Sequence, residues 1–186
     1  MAKMNRFSRW MVNRRTESRA RRTLARLGSH LQLAPGASVL ELGSGRGGLL
    51  AMLHERFHPA RLVGTDFDPD QVESAREFLT ARWGVLPAAV ELREADALTL
   101  PYPEASFDAV FAMMMLHHVE VHHAEYSRRP QALQEIRRTL RPGGLFVYSD
   151  ILRRAEIRAT LSELGFQPQF VRKTWRSDLA IYRAPA

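Results

Sequence analysis

Apolar residues recur along this chain with two periods, and the period switches repeatedly between them. Over residues 16–33, Ala20, Leu24, Leu27 and Leu31 return every three or four positions, the spacing of a helix face that Pro35 and Gly36 bring to an end. Residues 39–42, VLEL, form the short apolar run of a buried strand, and Leu49, Leu50, Leu53 and Phe57 restore the helical spacing. RLVGTDFD predicts a second strand, Pro69 opens a helix carrying Val72, Ala75 and Leu79, and AVELREAD predicts a third strand. The turn-rich ALTLPYPEASFD leads into a wholly apolar fourth strand, AVFAMMM. Residues 131–140 place Leu133, Ile136 and Leu140 on one helix face, RPGG turns into the strand LFVYSD, and a helix over 156–164 precedes two extended pieces, FQPQFVRKTW and DLAIYRA.

Strands alternating with helices imply β-α crossovers, hence an α/β fold: a doubly wound, mainly parallel, Rossmann-like sheet of about seven strands with helices on both faces. The last two extended pieces lack a helix between them, so they predict an antiparallel hairpin at one edge. Ligands in such sheets bind beyond the carboxyl ends of the strands. This predicts a line of site residues from Glu41 to Gly48, at Asp66 and Phe67, at Asp96 and Ala97, and from Ala112 to Met114.

Composition narrows the chemistry. The 186 residues suffice for one self-supporting core. The absence of cysteine excludes disulfides, thiolate metal sites and a cysteine nucleophile. The net charge of +7 sits at one end: residues 1–30 carry nine Lys or Arg against Glu17 alone, and the remainder is nearly neutral. Residues 1–30 are therefore read as a basic helical segment preceding a main domain over 31–186. Within it Met4, Phe7, Trp10 and Met11 fall at helical spacing among arginines, a pattern suited to a lid over a site or to peripheral contact of residues 1–26 with an anionic membrane or a partner. The first residues lack the apolar core of a signal peptide, and the longest apolar run, Ala109 to Leu116, is too short to span a bilayer, so a cytoplasmic protein is expected.

The stretch VLELGSGRGGLL fits two cofactor patterns. Gly43, Gly45 and Gly48 spell G-x-G-x-x-G, as in a dinucleotide site, while Glu41, Gly43, Gly45 and Gly47 spell acidic-x-G-x-G-x-G, as in S-adenosylmethionine (SAM) enzymes. Asp66, about 20 residues on, suits ribose hydroxyls in either. Lys3 and Lys173 are the only lysines, so the Tyr-x-x-x-Lys pair of short-chain oxidoreductases and the lysine of a phosphate-binding loop are both missing.

Four pieces in order, VLELGSGRGG, VGTDFDPDQVESAR, EADALTLPYPEASFDAVFAMMMLHHV and LRPGGLFVYSD, resemble the class I SAM-dependent methyltransferases, in particular the small-molecule branch with the ubiquinone and menaquinone C-methyltransferases. The resemblance implies SAM as cofactor and S-adenosylhomocysteine as product. It implies that Gly43, Ser44, Gly45 and Gly47 lie along the methionine part, with Glu41 bracing the loop or reaching the ammonium. It further implies Asp66 on the ribose, Phe67 on the adenine face, Asp96 and Ala97 on the adenine edge, and Ala112 and Met113 among the cofactor-binding residues.

Methyl transfer from a sulfonium needs no protonation of the leaving group, and a general base enters only if the acceptor must lose a proton. His117 and His118 are the catalytic candidates, although neighbours on a regular helix or strand point in different directions; no metal site is expected. His122 and His123 have weaker grounds, and Tyr126 and Asp150 are candidate substrate contacts. Ala112 to Met115 offers no polar side chain to hold an exocyclic amine, so methylation of nucleic-acid bases is not expected. The expected acceptor is a small, partly apolar molecule; the alternatives are a lipid headgroup at a membrane surface, or a non-catalytic SAM-binding or RNA-binding module.

Overall fold

The computed structural model describes residues 6–119 and 128–186, with side chains from Glu17 onward. Among these, the strands are β1 (Ser38–Leu42), β2 (Arg61–Asp66), β3 (Val90–Glu94), β4 (Phe107–Met113), β5 (Leu140–Asp150), β6 (Gln167–Lys173) and β7 (Asp178–Arg183). The helices are α1 (Arg6–Leu27), α2 (Gly48–Phe57), α3 (Pro69–Trp83), α4 (Arg129–Thr139) and α5 (Arg154–Glu163). One sheet runs in the order β3-β2-β1-β4-β5-β7-β6. The pairs from β3 to β5 are parallel, and β7 pairs antiparallel with both β5 and β6, so the expected hairpin closes the sheet.

Alternation along the strands sorts apolar side chains to two faces. Val39, Leu62, Phe111 and Val147 join Leu24 and Leu27 of α1, Leu50 and Leu53 of α2 and Leu79 of α3 in one core. Leu40, Val63, Val110 and Phe146 pack with Leu133 and Ile136 of α4 and Ile157 and Leu161 of α5 in the other. Ala20, Leu24 and Leu27 are buried, so the C-terminal half of α1 packs in this core. The helix also stops earlier than the periodicity suggests: Gly28 takes φ +52° and a 3-10 turn, Gly28–His30, carries Leu31 back into the core at helix-like spacing. RPGG does not precede β5 but lies within it, where Leu140 already pairs with Phe107 before a register shift between Phe107 and Ala109. None of the helices with described residues is long and apolar enough to cross a membrane.

Gly64 shows how tightly one helix sits. A Cβ at this position in central β2 would run into Leu50 of α2, whose helix start the site requires. Gly64→Val is therefore expected to destabilise the fold by about 1–3 kcal/mol through overpacking. A urea-unfolding midpoint equal to that of the parent protein would mean that α2 shifts without cost.

Candidate functional site

The strand order reverses between β1 and β4, and the loops after β1, β2, β3 and β4 converge on the crevice this creates. The glycines of the first loop adopt left-handed backbone, and they do so for different reasons. A Cβ on Gly43 would lie 2.7 Å from the Met115 Cβ, and one on Gly47 would press on Leu79 of α3 at 3.2 Å, so these two permit close packing. At Gly45, with φ +51°, a Cβ would meet nothing within 4 Å; it would stand in open space at the crevice. The Ser44 N–H donates to the Thr65 carbonyl at 2.8 Å, which ties the loop to the end of β2.

A cavity of about 350 Å³ follows the crevice, with Gly43, Gly45, Asp66, Phe67, Asp96 and Ala97 on its walls. Asp66 is held from two sides: Oδ2 accepts the Gly45 N–H at 2.9 Å and Oδ1 the Asp68 N–H at 3.1 Å. Oδ1 of Asp96 accepts the Leu98 N–H at 2.9 Å. Both carboxylates thus shape their own turns while lining the cavity. Phe67 is 46% exposed, a flat apolar face outside the core. Of the two cofactor-binding residues expected at the end of β4, Ala112 is fully buried in the core, and Met113 lines a different cavity; Met114, with φ +59°, and Met115 form the wall here.

That second cavity, about 510 Å³, lies on the α1 side of the glycine loop and shares Gly43, Gly45, Gln71 and Met114 with the first. Its lining includes Glu41 and Ser44, both buried, and Glu41 Oε2 and Ser44 Oγ have no hydrogen-bond partner. Burial first, and then the negative charge of Asp66, push the Glu41 carboxyl well above its ordinary value of 4.5, against the opposing pull of the Leu50 N–H. An orphaned buried carboxylate oxygen beside a loop that leaves room at Gly45 fits a ligand carrying positive charge. Gly47 lines neither cavity; its part is to set the turn into α2.

The histidines depart from expectation. His117 and His118 lie in a 3-10 turn, Leu116–His118, whose tight winding brings the adjacent rings to 4.0 Å instead of directing them apart. His118 reaches the wall of the first cavity and His117 lines neither. Nδ1 of His117 lies 3.0 Å from Oδ1 of fully buried Asp150, which also accepts the N–H groups of His117, Ile151 and Leu152. Asp150 therefore staples the turn after β4 to the loop after β5. Arg129, missed by the periodicity, is 2% exposed and donates to the Leu116 carbonyl at 3.1 Å, fixing the same turn from α4. His122, His123 and Tyr126, and the side chains of Met4, Phe7, Trp10 and Met11, lie outside the described residues.

Residues 40–148 match the family described as "Methyltransferase domain". A fatty-acid O-methyltransferase of Mycolicibacterium smegmatis is 38% identical over 122 residues, covering 66% of this chain and 40% of that protein. A demethylmenaquinone methyltransferase of Thermus thermophilus is 39% identical over 117 residues, covering 63% and 48%. The chain thus spans less than half the length of these relatives. Among solved structures, a chain from the complex between the Haloferax volcanii Trm112 methyltransferase activator and the putative methyltransferase superposes with a TM-score of 0.76 at 20% identity, covering 94% of this chain and 93% of its own. A SAM dependent methyltransferase from Aquifex aeolicus gives 0.70 at 18% identity, covering 90% and 97%. With its sheet order, its glycine loop and more than half of its length within the matched family, the chain belongs to the methyltransferase-domain family.

Proposed function

We propose that the chain transfers a methyl group from SAM to a small, partly apolar acceptor. The observation that carries this is the meeting of two cavities at Gly43, Gly45, Gln71 and Met114, since a transferase must bring two ligands to one point whereas a SAM-binding module needs only one. The names of the relatives, acting on a fatty acid and on demethylmenaquinone, support an acceptor with apolar bulk.

In this reading Asp66 accepts the ribose hydroxyls, Phe67 covers the adenine face, and Asp96 with the Ala97 backbone takes its edge. The backbone of Gly43, Ser44 and Gly45 runs along the methionine part, with the free oxygens of Glu41 and Ser44 beside its polar groups. Gly47 and Ala112 shape the loop and the floor, and Met113 faces the acceptor. When bound, the cofactor supplies a methyl on a sulfonium whose departure needs no proton. What remains for the residues is alignment, and holding two reactants in line lowers a barrier by on the order of 7–11 kcal/mol. His118, on the cavity wall, is the candidate to take a proton from acceptors that must lose one, and Asp150 orients its neighbour His117.

Incubation with SAM and either a fatty acid or demethylmenaquinone is expected to yield S-adenosylhomocysteine in step with methylated acceptor, and NADH is expected not to compete. SAM binding without turnover on any lipophilic acceptor would favour the non-catalytic module. Asp66→Asn keeps one acceptor oxygen for the turn and loses the charge, so it is expected to weaken SAM about tenfold, or ~1.4 kcal/mol. Calorimetry giving an unchanged affinity would remove Asp66 from the ribose.

A further inference from the structure

We infer that the second cavity takes an acceptor that is an amphiphilic anion, its carboxylate or phosphate held by Arg19, Arg26 and Arg176 and its apolar chain lying against Leu49, Met113 and Ile151. The inference rests on the function proposed above and names the chemistry of its second ligand. Arg19 and Arg26 reach the cavity from α1, and Arg176 from the turn between β6 and β7, about 150 residues away in sequence. None of the three forms an ion pair with a described carboxylate, whereas Arg61, Arg82, Arg138, Arg141 and Arg158, placed elsewhere, each hold one. Among the described residues Glu41 is the only acid lining this cavity. Positive charge drawn from both ends of the chain therefore converges on one opening where, among the described residues, none of the three arginines is ion-paired, and a planar guanidinium matches a carboxylate or phosphate in a forked pair of hydrogen bonds.

Arg176 is held in place. Its guanidinium carbon stands 4.1 Å over the Trp175 ring, and the turn carrying both is closed by the Ser177 N–H on Thr174 Oγ1 at 2.9 Å. Arg154 of α5 then donates to the Thr174 carbonyl at 2.7 Å, fixing the turn to the helix. Ile151, 40% exposed, lines the cavity itself, and the residues next to Ile151 and Arg176 in the chain, Leu152 and Trp175, are 53% and 80% exposed. A cationic opening with an apolar wall of Leu49, Met113 and Ile151 suits a ligand with a charged head and a hydrocarbon body. A neutral lipophile would leave the arginines unused.

The amino-acid carboxylate of SAM is the competing claimant for these arginines, so binding of the two ligands is measured separately. The full chain saturated with S-adenosylhomocysteine is titrated by calorimetry with decanoate, decyl phosphate and decanol at two salt concentrations. At least one of the two anions is expected to bind roughly tenfold or more tightly than decanol, with an affinity that falls as salt screens exposed charge. A preference for decanoate or for decyl phosphate assigns the head group. The R19Q/R26Q/R176Q variant, its fold checked by thermal melting, is expected to lose that preference while S-adenosylhomocysteine affinity and decanol binding stay as they were. Decanol binding as well as the anions would overturn the inference, as would a variant that weakens S-adenosylhomocysteine and spares the anion. Failure of the parent chain to bind S-adenosylhomocysteine would instead bring down the proposed function, and this inference with it.

Discussion

Gly45→Val is expected to abolish SAM binding in a protein that still unfolds cooperatively. Gly45 sits where the two cavities meet, and a Cβ added there touches no protein atom within 4 Å, so the side chain would occupy ligand space and not core space. Its φ of +51° imposes backbone strain on a branched residue of about 1–2 kcal/mol, enough to lower the melting temperature without unfolding the domain. The loss of affinity should exceed roughly a hundredfold, beyond what that strain alone provides. Gly43→Val makes the contrast: its Cβ would meet the Met115 Cβ at 2.7 Å, and both binding and fold should suffer. Calorimetry with S-adenosylhomocysteine beside a thermal melt separates the two variants. Normal binding by Gly45→Val would move the cofactor away from this loop; a lost cooperative melt would make the glycine structural.

That contrast marks the limit of what the sequence discloses. Glycines at alternate positions after a buried strand are visible as a turn, but whether each one faces ligand, α3 or the turn after β4 depends on residues as distant in sequence as Leu79 and Met115. Local period was enough to locate the strands, because Val39, Leu62, Val110 and Phe146 lie in short apolar runs that only a two-sided sheet can bury. It was not enough at Leu31, which keeps helical spacing through a 3-10 turn after the α-helix has ended. Nor could it find the start of β5, where Pro142 and Gly143 read as a turn while Leu140 pairs with Phe107. Ends of elements follow from pairing partners distant in sequence, and these leave no local period.

The site divides in the same way. Glu41, Asp66, Phe67, Asp96 and Ala97 lie at or just beyond the carboxyl ends of β1, β2 and β3 and could be placed as soon as the strands were. The run Ala112 to Met114 was legible in place but not in orientation, since the left-handed backbone at Met114 turns the following residues into the first cavity and leaves Ala112 beneath it. Arg176 could not be paired with Arg19 and Arg26 from sequence at all. Only the insertion of β7 between β5 and β6 brings the last turn of the sheet to the cavity that α1 borders.

Glu41→Gln is expected to raise the stability of the ligand-free protein and to weaken SAM by about a hundredfold, or ~2–3 kcal/mol, the range for hydrogen bonds to a charged group. The two effects share one cause: the carboxyl is buried beside Asp66, and one of its oxygens has no partner. With a folded-state pKa above the ordinary 4.5, the protonated form is favoured by folding. Below that value the carboxyl is protonated in both folded and unfolded chains, and parent and variant should be nearly equal. As pH rises above it the unfolded chain ionises while the folded one resists, so the parent loses stability relative to Gln until the raised pKa is passed. Urea midpoints followed with pH should therefore diverge upward from about 4.5 in favour of the variant. A bound cation reverses the preference and favours the carboxylate, so within that window SAM binding should expel a proton from the parent and none from Gln. Calorimetry in buffers of different ionisation enthalpy reads this directly. Equal SAM affinity and equal proton release in the two proteins would leave Glu41 only its hydrogen bond to the Leu50 N–H, as a brace for the glycine loop.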